Sequence, residues 1–165
     1  FTVDLQRSTG GRALMMMADD TSYDISAPLD DVVSIAVAAQ ASEGYRGGRM
    51  LKPLGTISTT ANGSSINTPG TTAAGGTTGG GVGHLHITAH AGSTQNIVAK
   101  VQHSTSGSTW ADLISFTATT AVTFQRSTVA GTVKEKLRSS VTWATTSATG
   151  TCTLAMAFAR QTAKT

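Results

Sequence analysis

The sequence predicts a mainly β protein. Its C-terminal half is expected to be an antiparallel β-sandwich, Ig-like or jelly-roll-like, preceded by a smaller β-rich region with at most one short helix. Three observations carry this expectation. Apolar residues alternate with polar ones: Leu85, Ile87 and Ala89 against His84, His86, Thr88 and His90, and Cys152, Leu154, Met156 and Phe158 on one side of the last strand. A period of two marks strands with one face buried. Turn residues cut this pattern at regular intervals, at Gly92-Ser93, Ser106-Gly107, Gly131 and Thr149-Gly150. Finally, only 13% of residues are charged while Thr, Ser, Ala and Gly dominate. Thr packs well on a pleated surface, so neutral hydroxyls can cover sheet faces.

Residues 1–55 form the first zone. A short opening strand at 2–5 precedes an apolar piece with three consecutive methionines, Met15, Met16 and Met17. Ala, Leu and Met are good helix formers, so 12–20 reads either as a helix or as a strand covered on both faces. A turn region surrounds Pro28. The strand that follows, Asp31-Val-Val-Ser-Ile-Ala-Val-Ala-Ala39, sets Val33, Ile35 and Val37 on one side, as candidates for a subunit contact or the core of this zone. Residues 56–81 are low in complexity and end in a run of Gly and Thr, which reads as a flexible linker. A phosphate-cradling loop would need a strand before those glycines, a helix after them and a Lys. Here a strand follows and the Lys is missing.

Residues 82–165 supply about six strands, at 82–90, 96–103, 110–117, 122–127, 133–143 and 151–159. In 133–143, Val133, Leu137, Val141 and Trp143 face one way. The expected core holds Leu137, Val141 and Trp143 with Leu85, Ile87, Ile97 or Val98, Val101, Trp110, Leu113, Phe116, Phe124, Leu154, Met156 and Phe158. At about 1.5–3 kcal/mol per buried large side chain, such a core suffices for a domain of this size.

Composition limits function. A chain of 165 residues can build its core without staples, and a lone cysteine, Cys152, permits no internal disulfide and reads as a small buried hydrophobe. No run of about 18 apolar residues occurs, so no membrane span is expected. The net charge of +3 and pI near 9.4 invite a nucleic-acid partner. The distribution argues against it. Residues 1–80 carry five basic and seven acidic side chains, residues 81–165 seven and two. Only Lys134, Lys136 and Arg138 line one strand face, without stacking aromatics or a recognition helix. Opposite charges in the two halves suit self-assembly better.

Chemistry-bearing clusters are sparse. His84 and His86 project from one strand face with His90, but a zinc site needs further ligands, and acids are nearly absent from this half. Packing against Thr and Ser, or a surface contact, is the expected role of His84 and His86. Ser139 and Ser140 lack the strained Gly-x-Ser-x-Gly turn of a hydrolase. The adjacent pairs Asp19-Asp20 and Asp30-Asp31 diverge and suit turns. No catalytic, cofactor-binding or metal-ligating residue is therefore expected, and no enzyme. Trp110, in the hairpin from His103 to Leu113, is expected to plug the sandwich end, with a sugar-stacking platform as the alternative.

Several segments together resemble the major tail (tail tube) proteins of long-tailed bacteriophages that carry an added C-terminal sandwich. They are Gly80-Gly-Val-Gly-His-Leu-His-Ile-Thr-Ala89, Val101-Gln-His-Ser104 with Gly107-Ser-Thr-Trp-Ala-Asp-Leu113, and Leu137-Arg-Ser-Ser-Val-Thr-Trp143 running on to Ala157-Phe-Ala-Arg160. Upstream, Asp31-Val-Val-Ser-Ile-Ala-Val-Ala-Ala-Gln40 and Gly48-Arg-Met-Leu-Lys-Pro-Leu-Gly55 fit the preceding tube region and the join to the sandwich. The resemblance implies a virion protein assembled in the host cytoplasm. Its copies would form rings, sixfold by the family pattern, stacked into a tube that passes DNA as cargo. Other virion proteins would be partners, and host-surface glycans are a further candidate for the outer domain. The family's opening strands and long hairpin have no counterpart before Phe1. This implies either the C-terminal portion of a longer tail protein or a relative used elsewhere, such as a capsid decoration protein.

Overall fold

The computed structural model describes residues 2–4, 8–26, 34–68, 76–91, 96–144 and 150–161, with 2–4, 17–26 and 34–45 described by their backbone pairing alone. Among them, strands form two antiparallel sheets and there is no helix. The larger sheet, A, runs in the order β1 (Thr2–Asp4), β2 (Arg12–Ser26), β3 (Ser34–Ile57), β11 (Thr151–Arg160), β6 (Gly81–Ala91) and β9 (Thr123–Val129). The smaller sheet, B, runs β4 (Ala61–Asn62), β10 (Lys136–Trp143), β7 (Ile97–Ser104) and β8 (Ala111–Ser115), with β5 (Ile66–Asn67) also on β10. The sheets stack as a sandwich-like pair around one core. The six strands expected from residue 81 onward are all present.

The apolar alternation decides which faces meet. Sheet A contributes Leu51 and Ile57 from β3, Leu85 and Ile87 from β6, and Cys152, Leu154, Met156 and Phe158 from β11. Sheet B contributes Ile66, Ile97, Ala99, Val101, Ile114, Leu137, Val141 and Trp143. Val133 and Phe116 close the core from the connections. Three residues expected inside are not. Trp110 lies outside this core, Phe124 is 40% exposed, and Leu113 only packs partly against it. All three stand at strand ends or on the edge strand, where the opposing sheet no longer covers them.

The division into three zones is corrected by the ladders. β3, from the first zone, pairs with β11, from the last, over Arg49↔Phe158 to Ile57↔Cys152, and its Leu51 and Ile57 share the sandwich core. Strands from the first zone and from the last, β1, β2 and β3 with β11, β6 and β9, therefore share sheet A. The described residues of the expected linker, 56–68 and 76–81, are also structured. Within it β4 and β5 pair end to end along β10, Thr77 bridges Val133, and Ile66, Thr68 and Thr77 are buried. Gly63 lies between β4 and β5 because a Cβ there would stand 2.3 Å from Ser139 Oγ. Glycine here permits close approach of two strands rather than looseness.

The Met-rich piece is strand, not helix. In β2, Ala13 and Met15 are buried and Leu14 and Met16 half-buried, so both faces are covered. Ala13 and Met15 join Met50, Ala157 and Ala159 in a second apolar cluster. On β11 these alanines alternate with Met156 and Phe158, so the second cluster lies on the face of sheet A away from sheet B. Apolar residues on both faces explain why 154–160 reads as an almost continuous hydrophobic run.

Candidate functional site

The most distinctive feature is an arm. β2 and β3 remain paired from Arg12↔Arg49 to Ser26↔Ser34, with irregularities between Met16 and Ala18 and between Asp20 and Ser22. β1 covers β2 only at Ala13, Leu14 and Met15, and β11 covers β3 only from Arg49 onward. Beyond those points the two strands pair with each other alone among the described residues. Ten residue steps from Met16 to Ser26 make this two-stranded part roughly 30 Å long. Ile35 stands opposite Ile25 and Val37 opposite Tyr23 within it. Val33 lies outside the described residues.

The outer face of sheet B carries the second candidate. Lys100 Nζ donates to Asp112 Oδ2 at 2.6 Å, and Gln102 Nε2 donates to Asp112 Oδ1 at 2.8 Å. Arg138 Nε donates to Gln102 Oε1 at 2.8 Å, and its guanidinium carbon sits 4.4 Å from the centre of the Trp110 ring. Trp110 Nε1 in turn donates to Gly107 O at 2.9 Å. The order follows from register, because Arg138 faces Gln102 and Gln102 faces Asp112 across neighbouring strands. The Gln102 and Lys100 hydrogen bonds hold the Asp112 carboxyl below its ordinary pKa, against a smaller opposing effect of burial. Trp110 thus sits outside the sandwich, with Arg138 stacked on one face of its ring, where the sequence suggested a core plug.

The histidines separate. His84 and His86 lie opposite Ala157 and Ala155, on the side of sheet A away from the main core. His84 is 1% exposed, so it offers no surface to a ligand. His84 meets the Phe124 ring edge-on at 5.3 Å, and His86 meets it at 4.7 Å. Burial lowers the His86 pKa to about 4. The sequence places His90 on the same face, but the ladder steps from Ile87↔Leu154 to Ala89↔Thr153, so β6 carries one extra residue there. Such a bulge reverses the alternation beyond it. His90 therefore lies opposite Cys152 and faces the core, its ring 5.5 Å from that of Trp143. Nε2 of His90 and Nε1 of Trp143 are both buried without a hydrogen-bond partner. Among the described residues no three His, Cys, Asp or Glu gather as metal ligands would.

Arg160 forms the densest polar knot. At the end of β11 its guanidinium donates to Thr68 Oγ1, Thr77 Oγ1 and the carbonyls of Val133, Lys134 and Glu135. Burial lowers its pKa, with the Glu135 charge opposing. These contacts tie sheet A to the connection before β10. Two shallow clefts, of about 220 and 180 Å³, include Lys52 in one and Arg49 with Arg160 in the other. No acid lines either, so neither pairs an acid with a base.

No protein-family model, curated protein or solved structure matches this chain. Its chemistry must be read from its own geometry. Sequence reasoning singled out Trp110 but missed Gln102, Asp112 and Arg160, which become partners only across strands. It also missed the arm. Two β-compatible stretches on either side of the turn region at Pro28 are the hairpin signal that points to it.

Proposed function

We propose that this protein is a self-assembling structural subunit of a virion, a bacteriophage tail tube protein whose copies form stacked rings around a DNA channel. The carrying observation is the β2–β3 arm, whose strands pair only with each other, among the described residues, beyond Met16 on β2 and before Arg49 on β3. A two-stranded ribbon is marginal in water by itself, and past Met16 neither of its edges has a strand partner among the described residues. Strands from neighbouring copies would satisfy those groups and extend sheet A between subunits. The family that the sequence resembles uses a long hairpin, and none was expected in this chain. The arm supplies that element within residues 12–57.

Further support comes from the edge strand β9, where Val122, just before the strand, and Phe124, within it, are exposed. Large apolar groups next to a free edge suit a contact between copies. The sandwich would face outward and meet other virion proteins. A glycan platform at Trp110 is less favoured, because Arg138 occupies one face of the ring. No helix of the described residues is long and apolar enough to cross a membrane.

Negative-stain imaging with sedimentation velocity on the purified chain tests the proposal. Rings or tubes that grow with concentration are expected. A monomer at every concentration, with no ring or tube in native particles, refutes it.

A further inference from the structure

Charge is divided sharply between residues 17–45, of which 27–33 lie outside the described residues, and the rest of the sequence. Residues 17–45 contain six of the nine acidic residues, Asp19, Asp20, Asp24, Asp30, Asp31 and Glu43, and no Lys or Arg. The remaining residues hold all twelve basic side chains and three acids, a formal −6 set against +9. Within the ladder, Asp19 stands opposite Gln40, Asp20 opposite Ala39 and Asp24 opposite Ala36. The ladder's cations, Arg12, Arg46 and Arg49, all stand at its root, and its stretches 17–26 and 34–45 hold none. Asp24 lies roughly 25 Å along the ribbon from its root, about three Debye lengths at physiological salt.

A matching surface exists on sheet B. Its outer face carries Lys100, Lys136 and Arg138 around a single carboxylate, Asp112, which Lys100 and Gln102 already engage. Arg138 is held there at two points, by Gln102 at Nε and by the Trp110 ring beneath its guanidinium. Its Nη1 and Nη2 have no acceptor among the described residues. Fixing an arginine on binding costs it rotamer freedom, and this relay has already ordered it. A fixed guanidinium with two free nitrogens matches a carboxylate bidentately.

We propose that the outer face of sheet B, centred on Arg138, receives the acidic arm of a second copy of this chain. The inference rests on the self-assembly proposed above and adds the receiving surface. Arm and face are different patches, so the contact is head-to-tail, and repetition gives closed rings or filaments rather than a two-fold dimer. The opposite charges sit in one sequence, which selects another copy over a foreign polyanion as the occupant.

The test is sedimentation velocity on the full chain across a salt series, comparing wild type with Arg138→Glu, Asp19→Arg/Asp20→Arg and the combination of all three. Urea unfolding first establishes that each variant is folded. If Arg138→Glu proves unstable, the arm variant, remote from the sandwich core, carries the test. Wild-type association should weaken with salt. Each charge reversal should weaken it at least about tenfold, and the combination should recover much of the loss. Association that is unchanged by both reversals overturns the proposal while leaving self-assembly standing. A wild type that stays monomeric overturns both. Added DNA or an anionic polysaccharide that binds through Arg138 without competing with association would assign the face to a different partner and also overturn the proposal.

Discussion

Replacing Arg160 by Met keeps most of the side chain's length and removes every donor of its guanidinium. Counting each of its contacts at about 1.5–3 kcal/mol for a charged hydrogen bond would give a sum comparable to the total stability of a whole domain. The geometry gives a smaller figure. Val133 O still receives Thr77 N at 2.9 Å, and Glu135 O still receives Thr68 N at 3.1 Å and Thr68 Oγ1 at 2.8 Å. Lys134 O alone among the three carbonyls loses its one described donor. The substitution also releases the desolvation that lowers the Arg160 pKa. One orphaned carbonyl and one lost tie between β11 and the connection before β10 should cost about 2 kcal/mol. For a chain of this size that is roughly a 4–8 °C fall in Tm. Urea and thermal unfolding of Arg160→Met and Arg160→Lys measure it. Lys keeps the charge but not the fork, so an intermediate loss is expected. A loss under about 0.5 kcal/mol in Arg160→Met would show that the knot contributes nothing net.

Burial holds His86 neutral in the fold until its pKa of about 4, whereas the unfolded chain takes up that proton near 6.5. Between those values the unfolded state binds more protons, so this contribution to stability is full above pH 6.5 and is lost as pH falls towards 4. The loss is at most about 3 kcal/mol. His86→Gln should flatten that part of the urea-midpoint profile; equal profiles for variant and wild type would dismiss the effect. Two glycines of sheet A should part company on substitution. A Cβ on Gly81 would lie 2.2 Å from Phe158 Cζ and 2.7 Å from Ala159 O, while one on Gly47 meets nothing within 4 Å. Gly81→Ala should destabilise by roughly 1–3 kcal/mol through overpacking, and Gly47→Ala by less than about 0.5 kcal/mol. Similar unfolding midpoints for the two would refute the packing argument.

The six strands from residue 81 onward were legible because their cause is local. Each alternates apolar with polar residues and ends at turn residues such as Gly107 and Gly131, both with positive φ. The same periodicity correctly gathered Cys152, Leu154, Met156 and Phe158 on one buried face. The candidate surface was legible only in part. Trp110 drew attention by its residue type, but the Lys100–Asp112–Gln102–Arg138 relay spans three strands whose neighbours are decided by the sheet order. Composition misled where Ser, Thr and Gly suggested a linker. Those residues pair along β10 because small side chains allow the chains to come close.

Local residue pattern was enough for the fold class, the strands from residue 81 onward and the apolar face of the last strand, since side chains alternate along any extended segment. Tertiary structure decided the joining of β3 to β11, the length of the self-paired arm and the side on which His90 lies. Those depend on which backbone meets which. One extra residue in β6, accommodated opposite Thr153 and Leu154, turns His90 inward, and no property of the histidine or its neighbours in sequence specifies it.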